Sequence, residues 1–207
     1  MLQYITNTDC NVPVVDQINA VIDGGCRWVQ IRMKEASDDE IRKVVEAVKP
    51  RCIEMECFLL LDDRVELAKE LNVGGVHLGK EDMPCSKARM ILGPGAVIGV
   101  TANTFADIEA VRNLDVDYIG MGPFAMTSTK KNLAPMLGLD GIRILCNDME
   151  RAMINIPRVA VGGITLEDVE DLLHAGVNGI AVSGAIAFAR DIAEETRRFI
   201  AKMPVGE

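Results

Sequence analysis

The strongest constraint on the fold is a regular alternation of short, β-branched apolar runs with longer amphipathic stretches along all 207 residues. The apolar runs predict β-strands, and the stretches between them predict helices. Eight strands are expected, at residues 3–6, 28–32, 57–61, 75–78, 97–100, 118–121, 158–161 and 179–182. Helices are expected near residues 12–23, 38–54, 63–71, 86–92, 104–113, 139–152, 165–174 and 185–202.

Eight strand and helix units in alternation favour a closed barrel. Alternation predicts parallel strands with right-handed crossovers, and eight such units close most naturally into a (β/α)8 TIM barrel, an α/β fold. An open doubly wound sheet is the alternative, but residues 5–8 lack the glycine-rich dinucleotide turn that usually follows its first strand. With 49% hydrophobic residues, the chain is expected to form a single domain over residues 1–207.

Charge and cysteine content narrow the class of protein. A net charge of −9 argues against a nucleic-acid partner, which would need a basic surface. The chain has no signal-peptide pattern and no apolar run of the roughly 20 residues that a membrane helix needs, so a cytoplasmic protein without a membrane partner is expected. The six cysteines form no CxxC pair and are expected to be buried, reduced thiols. The sequence is compatible with a homo-oligomer as well as with a monomer.

Cationic and acidic side chains follow the second, third and fourth predicted strands. In a barrel, the C-terminal ends of all strands meet at one mouth. Gln30, Arg32 and Lys34 alternate along an extended segment and therefore share one side of it. Asp63 and Asp82 follow the next two strands and could meet across neighbouring loops. Two carboxylates repel unless a cation lies between them, and Mg²⁺ with a pyrophosphate fits that requirement.

Two further segments have the character of phosphate sites. Residues 122–131, Gly-Pro-Phe-Ala-Met-Thr-Ser-Thr-Lys-Lys, follow the sixth strand and offer hydroxyls, N–H groups and ammonium groups to an anion, although a merely solvated polar loop is the alternative. Gly162-Gly163 and Ser183 each follow a late strand and open a helix, where barrels often bind phosphate. Two phosphorylated substrates are therefore expected. No Ser–His or Cys–His arrangement is evident, and His77 is expected to be a core residue.

Several motifs, in order along nearly the whole chain, resemble those of the thiamine phosphate synthase (thiamine phosphate pyrophosphorylase) family. Residues 30–34 (QIRMK) are similar to its QxRxK element, 61–64 (LDDR) to NDR, 75–83 (GVHLGKEDM) to GVHLGQxDM and 122–131 to GPxxxTxTKK. The resemblance implies a transferase that joins 4-amino-2-methyl-5-hydroxymethylpyrimidine diphosphate to 4-methyl-5-(2-phosphoethyl)-thiazole and releases pyrophosphate. In that family pyrophosphate departs first, leaving a pyrimidine cation for the thiazole to attack.

The resemblance also implies roles for individual residues. Metal binding falls to Asp63 and Asp82, which would hold Mg²⁺. Thr101 stands where the family commonly has a serine that faces the pyrimidine. The resemblance implies that the pyrimidine diphosphate is bound by Gln30, Ile31, Arg32, Met33, Lys34, Asp62 and Lys130. Among these, Arg32, Lys34 and Lys130 are implied to be the catalytic cations. The groups implied to bind the thiazole phosphate are Thr127, Ser128, Thr129, Gly162, Gly163, Val182 and Ser183.

The chain departs from the family pattern at Asp62, Lys80, Asn103 and Ala125-Met126. Asp62 replaces an asparagine that would face the diphosphate, so we expect it either to pair with Lys80 or to add to the metal site. Two alternative functions stay open. One is a thiazole tautomerase-like isomerase on the same barrel, and the other is a non-catalytic paralogue that binds phosphate ligands without turnover.

Overall fold

The protein folds as a closed barrel of eight parallel strands that pair in sequence order, with the first strand also paired to the last. The computed structural model describes residues 1–126 and 135–204. This arrangement confirms the predicted (β/α)8 TIM barrel. The strands are β1 (Leu2–Ile5), β2 (Trp28–Ile31), β3 (Phe58–Asp62), β4 (Gly75–Leu78), β5 (Val97–Ala102), β6 (Tyr118–Met121), β7 (Arg158–Val161) and β8 (Gly179–Val182).

Helices follow the strands and surround the barrel. They are α1 (Val14–Asp23), α2 (Asp38–Glu54), α3 (Val65–Glu70), α4 (Cys85–Leu92), α5 (Phe105–Val111), α6 (Gly138–Arg151), α7 (Val169–His174), α8 (Gly184–Ala187) and α9 (Ile192–Ala201). Because side-chain oxygens satisfy the free N–H groups of a first turn, polar residues decide where several of these helices begin. Ser37 and Thr104 each form a complete capping box, at the starts of α2 and α5.

Two helix predictions differ from the structure by more than two residues. The helix expected from residue 165 begins only at Val169, because the Thr165 N–H and hydroxyl both donate to the Asp168 carboxylate, at 2.8 Å, and hold a turn there. The helix expected over residues 185–202 is divided into α8 and α9. Asp191 caps α9 by accepting the Glu194 N–H at 2.9 Å, and this forces a new helix start.

Apolar side chains form two layers, one inside the barrel and one between strands and helices. The outer layer is the larger and includes five of the six cysteines, all of which are free thiols. Side chains that pack inside the barrel are Ile5, Leu60, Tyr118, Val159 and Ala181, with Trp28, Val97 and Val161 against them. Among the described residues, no helix combines the length and apolar content needed to cross a membrane.

Candidate active site

Arg32 and Lys34 lie at the barrel mouth with their charges directed at Asp62. Strands β2 and β3 are neighbours, with Ile31 opposite Leu61, so the residues that follow them come together. Lys34 Nζ lies 2.8 Å from Asp62 Oδ2, and Arg32 Nε lies 3.6 Å from the same oxygen. The Asp62 side chain is only 9% exposed, whereas that of Lys34 is 40% exposed. Asp62 therefore holds two cations at the mouth, and Lys34 still reaches solvent.

Thr6, directly after β1, fixes the backbone of Arg32. Its hydroxyl accepts the Arg32 N–H at 2.9 Å and donates to the Arg32 carbonyl at 3.3 Å. On the far side of the same loop, the Arg64 guanidinium donates to the Ala36 carbonyl at 3.3 Å. Both contacts restrict the segment that carries Arg32 and Lys34. Sequence reasoning missed Thr6, although a polar residue at the end of an apolar strand was the available signal.

Lys80 pairs with Asp107, so the prediction that it compensates Asp62 was wrong. Its Nζ lies 2.6 Å from Asp107 Oδ2. Asp107 belongs to the capping box of α5, which follows strand β5. Lys80 follows β4, and β4 and β5 are neighbours in the barrel. Asn103, from the same loop, donates to the Gly122 carbonyl and ties the β5 and β6 loops together.

Asp63 and Asp82 influence each other electrostatically across the loops after β3 and β4. Burial and then the charge of Asp82 raise the pKa of Asp63 above its ordinary value, while the Lys34 ammonium acts in the opposite direction. Asp63 has a positive φ of 70° and borders a cleft of about 180 Å³ that Arg64 and Met83 also line. Asp82 is held in place by the Gly79 N–H, which donates to its Oδ2 at 2.6 Å.

Two carboxylates are a donor set that Mg²⁺ accepts. Within residues 1–126 and 135–204, no three His, Cys, Asp or Glu side chains are arranged to hold a metal ion. Mg²⁺ commonly takes one or two carboxylates and completes its shell with water and substrate phosphates. Burial and then the charge of Asp82 raise the pKa of Asp63, and a cation between the two carboxylates would offset the second of these effects.

Thr101 lies on β5 with its side chain toward the barrel interior, beside His77. Its hydroxyl is 3.0 Å from His77 Nε2, and His77 Nδ1 is 2.9 Å from the hydroxyl of Tyr118. Gln30 is 2% exposed and lines an internal cavity of about 20 Å³ together with His77 and Tyr118. The expectation that His77 is a core residue is therefore incomplete, since both ring nitrogens face polar partners.

The turn after β7 lies against the described start of the β6 loop. Gly162 and Gly163 have positive φ values of 98° and 70°. The Ala125 N–H donates to the Gly162 carbonyl at 2.9 Å, and a Cβ on Gly163 would lie 2.6 Å from the Met126 carbonyl oxygen. The loop thus enters beside the glycine turn. The remaining predicted residues of this loop, Thr127, Ser128, Thr129 and Lys130, lie outside the described residues.

Ser183, at the end of β8, is connected to a buried polar network behind β1. Its Oγ accepts the Asn7 side-chain N–H at 3.2 Å, and Asn7 in turn donates its backbone N–H to Gln17 at 3.0 Å. Gln17 is fully buried on α1 and also accepts the Tyr4 hydroxyl at 2.6 Å. Sequence reasoning missed this network. A glutamine on the apolar face of a helix was the signal that could have revealed it.

Three predicted binding residues have side chains that pack away from the barrel interior. Ile31 and Val182 are buried in the layer between strands and helices, and Met33 is partly buried against the same layer. These residues can therefore offer a substrate only backbone groups. That role suits a diphosphate or phosphate, which accepts hydrogen bonds from N–H groups.

Comparisons with known proteins agree on one family. A family model described as thiamine monophosphate synthase matches residues 2–186. Thiamine-phosphate synthases of Bacteroides fragilis and Bacteroides thetaiotaomicron are each 50% identical to this chain over 199 residues, covering 96% of it and 98% and 95% of their own lengths. A solved thiamine phosphate pyrophosphorylase from Pyrococcus furiosus superposes with a TM-score of 0.86 at 29% identity, covering 97% of this chain and 94% of its own. The chain belongs to the thiamine monophosphate synthase family.

Proposed function

We propose that this member of the family is an active thiamine-phosphate synthase. Its reaction is the condensation of 4-amino-2-methyl-5-hydroxymethylpyrimidine diphosphate with 4-methyl-5-(2-phosphoethyl)-thiazole, giving thiamine phosphate and pyrophosphate. The observation that carries the proposal is the meeting of Arg32 and Lys34 on Asp62, next to the mutually repelling Asp63 and Asp82. A cation pair beside a carboxylate pair suits a diphosphate bound with a divalent metal.

Arg32 and Lys34 would bind the diphosphate in place of their present partner, Asp62. In the described structure both face Asp62, and the exposed ammonium of Lys34 can turn to an incoming anion. The guanidinium of Arg32 keeps its position, because Thr6 holds the backbone from which it projects. Positive groups fixed where the leaving pyrophosphate gathers charge favour its departure before the thiazole attacks.

Asp63 and Asp82 would hold Mg²⁺. When bound, this ion would neutralise charge on the leaving diphosphate. The chain's own contribution is to keep the two carboxylates in place, through the Gly79 N–H on Asp82 and the left-handed backbone of Asp63. No side-chain nucleophile is required for a substitution in which the leaving group departs first, which is consistent with the absence of a Ser–His or Cys–His motif.

The thiazole phosphate would bind on the other side of the mouth. Backbone N–H groups of Gly162-Gly163 and of the Val182-Ser183 segment, which follow β7 and β8, would donate to the phosphate. On the family resemblance, Thr127, Ser128 and Thr129 stay candidates for the same site, and Lys130 stays a candidate for the diphosphate. Thr101 would face the pyrimidine from β5, which lies between the metal-side loops after β3 and β4 and the phosphate-side loops after β7 and β8. The predicted cytoplasmic location and single-domain organisation stay predictions.

Pyrophosphate release tests the proposal directly. Purified protein is mixed with both substrates and Mg²⁺, and pyrophosphate and thiamine phosphate are measured. Equal amounts of the two products are expected, with no release when either substrate is omitted. A change in the absorbance of a thiazole tautomer without pyrophosphate would instead identify an isomerase. Binding of both ligands without any product would identify a non-catalytic paralogue.

A further inference from the structure

A chain of hydrogen bonds runs through the barrel interior and ends at Thr101. Gln3 Nε2 donates to Tyr118 Oη at 3.2 Å, and Tyr118 Oη lies 2.9 Å from His77 Nδ1. On the other side of the ring, His77 Nε2 lies 3.0 Å from Thr101 Oγ1. These side chains come from β1, β6, β4 and β5, so four of the eight strands contribute to one connected path.

Two glycines make room for this path. A Cβ on Gly99 would lie 2.5 Å from Tyr118 Oη, and the phenol ring itself would be closer still. A Cβ on Gly120 would lie 3.0 Å from the Cε1 atom of His77. Tyr118 is further fixed by an edge contact with Trp28, whose ring centroid is 4.9 Å away. The rings therefore have defined positions, and their hydrogen bonds have defined directions.

The position of each proton follows from what each atom can donate. Tyr118 Oη carries one proton and accepts from Gln3, and burial raises the pKa of Tyr118 so that the phenol stays protonated. Gln30 also forms a hydrogen bond to the phenol that lowers the pKa of Tyr118, and it therefore acts as a second donor to Oη. With Gln3 and Gln30 both donating to Oη, its proton is directed to His77 Nδ1, at 2.9 Å. A neutral imidazole that accepts at Nδ1 carries its hydrogen on Nε2 and donates it to Thr101 Oγ1.

We propose that Gln3, Tyr118 and His77 form a one-way hydrogen-bond relay that keeps Thr101 a donor toward the barrel mouth. With its oxygen accepting from His77, the threonine hydroxyl directs its own proton to an acceptor atom of the pyrimidine substrate. The three relay residues act through Thr101 and are positioning residues. Their role in substrate binding rests on the proposed synthase function, whereas the polarity of the relay does not.

Nitrogen-15 NMR of histidine tests the polarity without any substrate. The chain has two histidines, His77 and the exposed His174, so a His174→Asn variant assigns both sets of signals. At about pH 8 an unperturbed histidine is neutral, and His77 is expected to carry its hydrogen on Nε2 with Nδ1 unprotonated. A hydrogen on Nδ1, or on both nitrogens, would overturn the relay, and this result is independent of catalytic activity.

A double-mutant cycle tests the functional link. Thr101→Val and Tyr118→Phe are each expected to lower kcat/KM for the pyrimidine diphosphate roughly 10-fold, the scale of one lost hydrogen bond, and to leave KM for the thiazole phosphate unchanged. The double variant should be no worse than Thr101→Val, because Tyr118 acts through the hydroxyl that is already gone. Thr101→Ser, which keeps the hydroxyl, should lose less kcat/KM than Thr101→Val.

Additive losses in the double variant would show a general structural role for Tyr118 and overturn the link. So would full activity of Tyr118→Phe. Thermal unfolding of each variant serves as the folding control, and the NMR result on the unmodified protein stands even if Tyr118→Phe does not fold. If the unmodified protein releases no pyrophosphate, the proposed synthase function fails while the tautomer of His77 still decides the relay.

Discussion

Asp62 occupies the place beside Arg32 and Lys34 that a substrate diphosphate would need. Its carboxylate is mostly buried and lies 2.8 Å from Lys34 Nζ, so an incoming anion must compete with it for both cations. Such an internal counter-ion keeps the two side chains ordered before substrate arrives, but it also weakens the attraction that they exert. We therefore expect Asp62 to tune how tightly the mouth holds pyrophosphate, including the product.

Replacing Asp62 with asparagine should strengthen pyrophosphate binding about 10-fold. The reason is the loss of one negative charge within ion-pair distance of both cations, which in a partly buried site corresponds to about 1–2 kcal/mol. Titration calorimetry with pyrophosphate and Mg²⁺ measures the change. Glu70→Gln is the matched control, because it removes a carboxylate that pairs with Arg42 outside the mouth. Unchanged or weaker binding by Asp62→Asn would contradict this competition.

Asp63→Asn should raise the thermal stability of the metal-free protein while removing its response to Mg²⁺. Burial and Asp82 raise the pKa of Asp63, so the ionised carboxylate destabilises the fold. This penalty is absent below the unfolded-state pKa of about 3.9 and complete above the raised folded-state pKa. Asparagine tolerates the positive φ of 70° at this position as well as aspartate does.

The expected increase in Tm without metal is roughly 1–2 °C near neutral pH, because water screens a group that is partly exposed. The difference between variant and unmodified protein should shrink as pH falls toward 4. Adding Mg²⁺ with pyrophosphate should raise the Tm of the unmodified protein more than that of the variant. Glu66→Gln, in the same cleft, is the control. A variant that is less stable at neutral pH and equally responsive to Mg²⁺ would remove Asp63 from the metal site.

At the scale of elements, the strands could be predicted almost to the residue, because each is a short apolar run bounded by polar or glycine residues. Helix boundaries were harder where side-chain chemistry competes with periodicity. Thr165 and Asp168 form a local turn that delays α7, and Asp191 starts a second helix inside one continuous amphipathic stretch. The partner of Lys80 could not be predicted either, since the choice between Asp62 and Asp107 depends on which loops meet in space.

The turn after β7 gives a prediction at the same scale. Gly163→Ala should raise KM for the thiazole phosphate roughly 10-fold, the scale of a contact or two lost from a phosphate site. The added Cβ would meet the Met126 carbonyl oxygen at 2.6 Å, so the turn and the β6 loop must separate. Gly93→Ala is the matched control, because Gly93 also has a positive φ, of 86°, but nothing lies within 4 Å of the added atom.

Steady-state kinetics with each substrate in turn measures this effect. Gly93→Ala should lower Tm through backbone strain alone and leave both KM values unchanged. A similar rise in KM for both substrates in Gly163→Ala would show general damage to the mouth. An unchanged KM for the thiazole phosphate would mean that the glycine turn does not contribute to its binding.

Considered as a whole, the barrel has an outer layer that is almost entirely apolar and an interior that mixes apolar with polar groups. The periodicity of the sequence predicts the outer apolar layer, and the family resemblance predicts residues at the mouth. Gln3 and Tyr118 escaped prediction because they are separated by 115 residues and meet only when the barrel closes. Because Gln3 and Tyr118 lie inside the barrel with His77, the same few side chains determine both the packing of the interior and the hydrogen bonds of the relay.

Gly99→Ala should therefore destabilise the entire fold more than any substitution above. The methyl group would overlap the phenol ring of Tyr118, which is 3% exposed and enclosed by strands on every side, so neither group can move without opening the barrel. A loss of about 3 kcal/mol is expected, which for a chain of this size lowers Tm by roughly 6–12 °C. Gly95→Ala, in the turn before β5, adds the same methyl group with nothing within 4 Å and should leave Tm nearly unchanged. Denaturant and thermal unfolding of the pair would measure the difference. Equal stability of the two variants would mean that the barrel interior is loosely packed. The rings of Tyr118 and His77 would then lack the defined positions on which the relay depends.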